Sequence, residues 1–120
     1  MPQADSITTL SLRELQQGIQ DGRFSVMEVT DAYLDRINRH DGTLNSFITV
    51  THEQARANAV ETDNRIRQGK LAGPLAGVPY ALKDLFCTEG VLTSCASKML
   101  ADFIAPYDAH VAMQLKAAGG

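Results

Sequence analysis

The stretch Gly73-Pro74-Leu75-Ala76-Gly77-Val78-Pro79-Tyr80-Ala81-Leu82-Lys83-Asp84 decides how this chain is read. Gly73-Pro74, Gly77 and Pro79 punctuate its first half, and Pro79 runs directly into Tyr80-Ala81-Leu82-Lys83-Asp84. Proline has no amide for a ladder, so it opens a strand but does not sit in the middle of one. Residues 80–84 are therefore expected to form the first strand of a core. The apolar residues before Lys83 lead its cationic side chain toward the interior, where lysine is seldom found without a partner. Neighbours in an extended strand project to opposite faces, which makes Asp84 a poor direct partner for Lys83. Buried among neutral groups, a lysine falls from a pKa of about 10.4, and a drop of roughly 3 units costs on the order of 4 kcal/mol. A lysine neutral near pH 7 can act as a base. A lysine paired with Asp84, or turned to solvent at a strand end, is the other reading of the same residues.

Upstream, three helix starts are signalled by a hydroxyl residue followed three positions later by Glu or Gln: Ser11/Glu14, Ser25/Glu28 and Thr51/Gln54. Such pairs satisfy orphan amides reciprocally. After Ser11, Leu12, Leu15 and Ile19 share a face until Asp21-Gly22. After Ser25, Val26, Val29, Tyr33, Leu34 and Ile37 make a stripe, with a stop expected at His40-Asp41-Gly42. Residues 46–50, Ser-Phe-Ile-Thr-Val, are rich in β-branched and aromatic side chains and read as a strand or extended linker. A third long helix is expected from about Thr51 to Gln68, ended by Gly69 and lying on a surface. Downstream, a turn is expected around Thr88-Glu89-Gly90, a short helix over 97–103, and a longer one over 108–118 with Asp108 as its N-cap. Gly119-Gly120 closes that helix.

These elements predict an α/β chain in two parts, a helical lead-in over 1–72 and the start of an α/β core over 73–120. One strand is not a sheet, and its unpaired amides and open face imply partners that these residues do not supply. The chain is thus expected to be a truncated piece of a larger enzyme. Its 120 residues carry 11 Lys plus Arg against 14 Asp plus Glu, a net charge of -3, which leaves no cationic excess for nucleic acid or anionic lipid. The longest apolar runs fall short of the roughly 18 residues of a membrane span, and no signal peptide opens the sequence, so the cytoplasm is the expected compartment. Cys87 and Cys95 form neither a metal-type pair nor a disulfide framework.

The stretch 73–84 closely resembles the segment that carries the catalytic lysine in amidase-signature enzymes. Thr88-Glu89-Gly90, Thr93-Ser94-Cys95-Ala96-Ser97-Lys98-Met99-Leu100 and Tyr107-Asp108-Ala109 narrow the resemblance to the A subunits of amidotransferases acting on glutamyl-tRNA(Gln) or aspartyl-tRNA(Asn). The likeness runs from about Leu10 to Gly120 and covers about the first quarter of a family member. Leu85-Phe86 stands where Asn-Ile is commoner, and Ser94 where Thr is commoner.

The resemblance implies the N-terminal part of the amidase-signature fold, and a Ser-Ser-Lys triad in which the lysine acts through a bridging serine on a nucleophilic serine. Of that triad only Lys83 maps onto this chain; both serines and the oxyanion-hole amides are expected downstream of Gly120. It further implies glutamine as ammonia donor, amidotransferase B and C subunits as partners, and misacylated tRNA met through the complex. ATP and Mg2+ would be used by the B subunit, with no cofactor or metal bound here. The 120 residues alone are expected to be inactive.

Other residues offer weaker chemistry. Cys87 or Cys95 with His40, His52 or His110 suggests a cysteine nucleophile, but Cys87 reads better as a small core residue. Ser94 and Ser97 read as turn or cap hydroxyls. Gly73, Gly77, Gly119 and Gly120 are not spaced as a nucleotide fingerprint. Two further readings stay open: a stand-alone amidohydrolase of the same superfamily, and a non-catalytic helical docking module.

Overall fold

Serine hydroxyls start the first two long helices as their spacing predicts. In the structure, a computed structural model that describes residues 4–70 and 73–120, a one-turn helix α1 (Ala4–Ile7) precedes α2 (Leu12–Gln20). Ser11 is extended at φ -66°, ψ 161°; its hydroxyl accepts from the Glu14 N–H at 3.3 Å while the Glu14 carboxylate accepts from the Ser11 N–H at 2.8 Å. Ser25 and Glu28 repeat the device at the start of α3 (Val26–Leu44). That terminus has a second anion: Asp63 accepts from the N–H groups of Val26 and Met27 at 2.9 and 3.1 Å, placing negative charge at the positive end of the helix dipole.

The stop expected at His40-Asp41-Gly42 does not occur. The helix runs through Gly42 to Leu44 and ends at Asn45, whose φ of 51° is left-handed. The Asp41 side chain then accepts from Ser46 and Phe47, satisfying the amides that leave the helix. A glycine inside a helix costs only about 1 kcal/mol against alanine, so it stops a helix less surely than a left-handed cap does.

α4 (His52–Arg67) matches its expected span, and Gly69 turns the chain at φ +68°. Its expected capping box is absent. Thr51 sits at ψ 63° rather than the near-160° of Ser11 and Ser25, and makes no side-chain cap. His52 anchors this end instead, with ring nitrogens on the Val50 carbonyl and the Asn38 side chain. α3 packs against both α1 and α4. Leu15, Ile19, Phe24, Val26, Val29 and Ala59 build the core, and Val29 is wholly enclosed.

The two expected strands are irregular connectors, with a bend at Ile48 in the first and a turn beginning at Asp84 in the second. A strand is defined by its ladder, and among the described residues nothing pairs with 46–50 or 80–84. Pairing occurs elsewhere, at an antiparallel bridge between Leu92 and Ile104 flanked by bonds from Thr93 to Phe103 and from Ala105 to Val91. The short helix expected over 97–103 is a single 3-10 turn, Lys98–Leu100. The last helix is α5 (His110–Ala117), and its N-cap is Ala109, not Asp108. Asp108 is engaged already, accepting from the Glu89 N–H at 2.8 Å and from Lys116 Nζ at 2.6 Å. The boundary expected at 72/73 adjoins Leu71 and Ala72, which lie outside the described residues, as do Met1–Gln3.

Candidate active site around Lys83

Two glycines seat the lysine segment. At Gly77, φ +76°, an added Cβ would stand 2.5 Å from Val26 Cγ2, so only glycine lets this turn lie against the start of α3. At Gly73, φ +93°, it would stand 2.3 Å from the Ala118 carbonyl oxygen. That closeness lets the Leu75 N–H donate to Ala118 at 2.8 Å and the Gly77 N–H to Gly119 at 3.1 Å, which caps the C-terminal end of α5. Val78 then enters the core.

Beyond Pro79 the chain runs without helix or ladder to Lys83 and turns at once, the Phe86 N–H donating to the Lys83 carbonyl at 3.0 Å. Lys83 lines an open groove of about 1040 Å³, whose walls come from α3, the connector at 46–51, α4 and residues 77–86. Its side chain is exposed, contrary to the burial expected from the apolar run before it. An apolar run buries its side chains only where another layer packs on its face, and here Tyr80, Leu85 and Phe86 are exposed as well. Among those residues Lys83 forms no ion pair and no side-chain hydrogen bond.

Asp84 does not face Lys83; it holds the turn at 94–96. Its carboxylate accepts from the Ser94 N–H at 2.9 Å and from the Ser94 hydroxyl, and its carbonyl accepts from the Cys95 N–H at 2.8 Å. The Ser94 hydroxyl and then its N–H hold the Asp84 carboxyl below the usual carboxylate range, with burial opposing and the Ala96 and Cys95 N–H groups adding a little. The turn is strained, since Cys95 and Ala96 have φ of 51° and 55°, a conformation costing an L-residue roughly 1–2 kcal/mol. Nothing in the sequence signals it, because neither cysteine nor alanine favours the left-handed region.

The remaining candidates fall apart. Ser94 has its hydroxyl committed to Asp84, and Ser97 precedes the 3-10 turn. Cys87 is half-buried beside the Tyr107 hydroxyl, whose pKa it raises, while His52 is bound to Val50 and Asn38. His40 and His110 are exposed. Among the described residues no cluster of His, Cys, Asp and Glu is arranged to hold a metal ion, and no helix is long and apolar enough to cross a membrane.

The chain is 54% identical over 110 residues to the A subunit of the glutamyl-tRNA(Gln) amidotransferase of Chromohalobacter salexigens, a match covering 92% of this chain and 22% of that protein. It thus spans about a fifth of the length of the curated relatives it matches. Among solved structures it superposes on a fatty acid amide hydrolase with a TM-score of 0.92 at 27% identity, over 99% of this chain and 21% of that one. An amidase family protein from Bacillus anthracis str. Ames gives a TM-score of 0.85 at 35% identity, over 97% and 23%. The fold expected from residues 73–84 is thus the amidase-signature fold of these neighbours. The family model for Amidase matches residues 28–120, taking in Lys83, Asp84 and the turn at 94–96, and the chain belongs to the amidase family.

Proposed function

We propose that this chain is the lysine-bearing part of the A subunit of a glutamine-hydrolysing amidotransferase, with Lys83 as the base. The observation that carries the reading is an amine on the wall of a large groove with no counter-ion among the described residues, the adjacent carboxylate being engaged by Ser94. In a protein of the relatives' length, further chain packed over this groove would take Lys83 out of water, into an environment that disfavours a charged side chain. The neutral amine then takes a proton from a bridging serine, which takes one from the nucleophilic serine. Attack on the glutamine side-chain carbonyl breaks the C–N bond, and the relayed proton leaves with ammonia, so that glutamyl ester and NH3 account for every atom. Water later releases glutamate.

Both serines and the oxyanion donors belong to sequence outside these residues, so the 120 residues alone hydrolyse no glutamine. The ammonia serves a cytoplasmic assembly in which the B subunit, with ATP and Mg2+, activates glutamyl-tRNA(Gln) or aspartyl-tRNA(Asn), and a C subunit joins the pair. The high identity to the A subunit of an amidotransferase favours this assembly. The superposition on a fatty acid amide hydrolase supports a second reading, a stand-alone amidohydrolase built on the same segment. Steady-state assays of the complete protein separate the two. The first reading expects glutamine hydrolysis that rises when B and C subunits are added; hydrolysis of simple acyl amides, indifferent to those subunits, would favour the second.

A further inference from the structure

Between Val78 and Asp84 the lysine segment has little to fix it. Among the described residues, none of the main-chain N–H groups at 80–83 donates to another main-chain carbonyl. Apart from the local bond from the Phe86 N–H to the Lys83 carbonyl, the first main-chain or side-chain hydrogen bond after Val78 among the described residues is at Asp84, which engages the Ser94–Ala96 turn through both its side chain and its carbonyl. Cys95 and Ala96 of that turn line the same groove as Lys83. Their left-handed backbone persists only where the surroundings hold it, and the bonds to Asp84 do so. The Asp84 carboxylate is engaged by Ser94 rather than by Lys83.

We propose that Asp84 is a positioning residue for Lys83: by fastening the lysine segment to the Ser94–Ala96 turn, it fixes where the amine sits on the groove wall. The inference deepens the reading of Lys83 as base and rests on it. It assigns Ser94 the companion role of anchor, so a threonine there, which keeps the hydroxyl, fulfils it and an alanine does not.

The test is steady-state glutamine hydrolysis by the complete amidotransferase, with competent sites counted by the stoichiometry of fluorophosphonate labelling. Misplacing a catalytic group by about 1 Å costs on the order of 100-fold, so Asp84→Ala is expected to lower kcat about 100-fold with KM within about twofold. The number of labelled sites stays the same and their labelling slows. Ser94→Ala is expected to lower kcat about tenfold and Ser94→Thr to restore it, while the Asp84→Ala/Ser94→Ala double variant is no slower than Asp84→Ala, as for residues acting as one unit. Unchanged kcat in Asp84→Ala overturns the proposal, as does a loss that merely tracks the count of labelled sites. Lys83→Ala, run in parallel, separates the two claims. An inactive Lys83→Ala beside a fully active Asp84→Ala sinks only the positioning role; an active Lys83→Ala sinks the base itself, and the positioning role with it.

Discussion

Gly18 shows how tightly single residues are fixed here. It lies in α2 against the Phe24 ring, and an added Cβ would fall 2.1 Å from Phe24 Cζ. Gly18→Ala gains up to about 1 kcal/mol in helix propensity but overpacks a closed core, which costs about 1–3 kcal/mol. A net loss of roughly 1–2 kcal/mol is expected, read as a lower urea midpoint. Asp108 makes the matching point for charge. The Lys116 ammonium and then the Glu89 N–H lower its pKa in the folded state. A carboxyl depressed on folding adds stability that is complete above its unfolded pKa of about 3.9 and is lost as pH falls through the folded value. Asp108→Asn is therefore expected to flatten the fall in urea midpoint between about pH 5 and pH 2.5, since the variant has no carboxylate there to protonate.

The elements show what local sequence conveys and what it leaves out. Ser11/Glu14 and Ser25/Glu28 were legible because a capping box is complete within four residues, and both form. Thr51/Gln54 has the same letters, but the box needs an extended Thr51, and the incoming connector sets that backbone otherwise. The stop of α3 is not legible at Gly42 because the deciding residue is Asn45, aided by Asp41 reaching forward to Ser46 and Phe47. Asp63 was silent for a different reason: its partners lie more than thirty positions away, and no spacing rule connects a mid-helix aspartate to the start of another helix. Asp63→Ala is expected to cost about 0.5–2 kcal/mol, in the range of a lost N-cap, and to raise amide exchange chiefly in the first turn of α3.

At the scale of the molecule, the sequence pointed to the fold through glycines whose reasons lie in tertiary contacts, at Gly73 against Ala118 and at Gly77 against Val26. It also pointed to Lys83, though for burial that these residues do not provide. The apolar run at 79–82 has the letters of a strand, but among the described residues it forms no ladder and lines an open groove. Turn 94–96 is not legible locally because its shape depends on Asp84, ten positions before Ser94, which binds the Ser94 hydroxyl and N–H. The measurement that bears most directly on the role of Lys83 is the rate of glutamine hydrolysis by the complete assembly carrying Lys83→Ala, with integrity of the complex verified. Loss of a general base and its relay is expected to slow kcat by about 100-fold or more, with assembly and glutamine KM preserved. A kcat within about twofold of the parent enzyme would show that this amine moves no proton in the reaction.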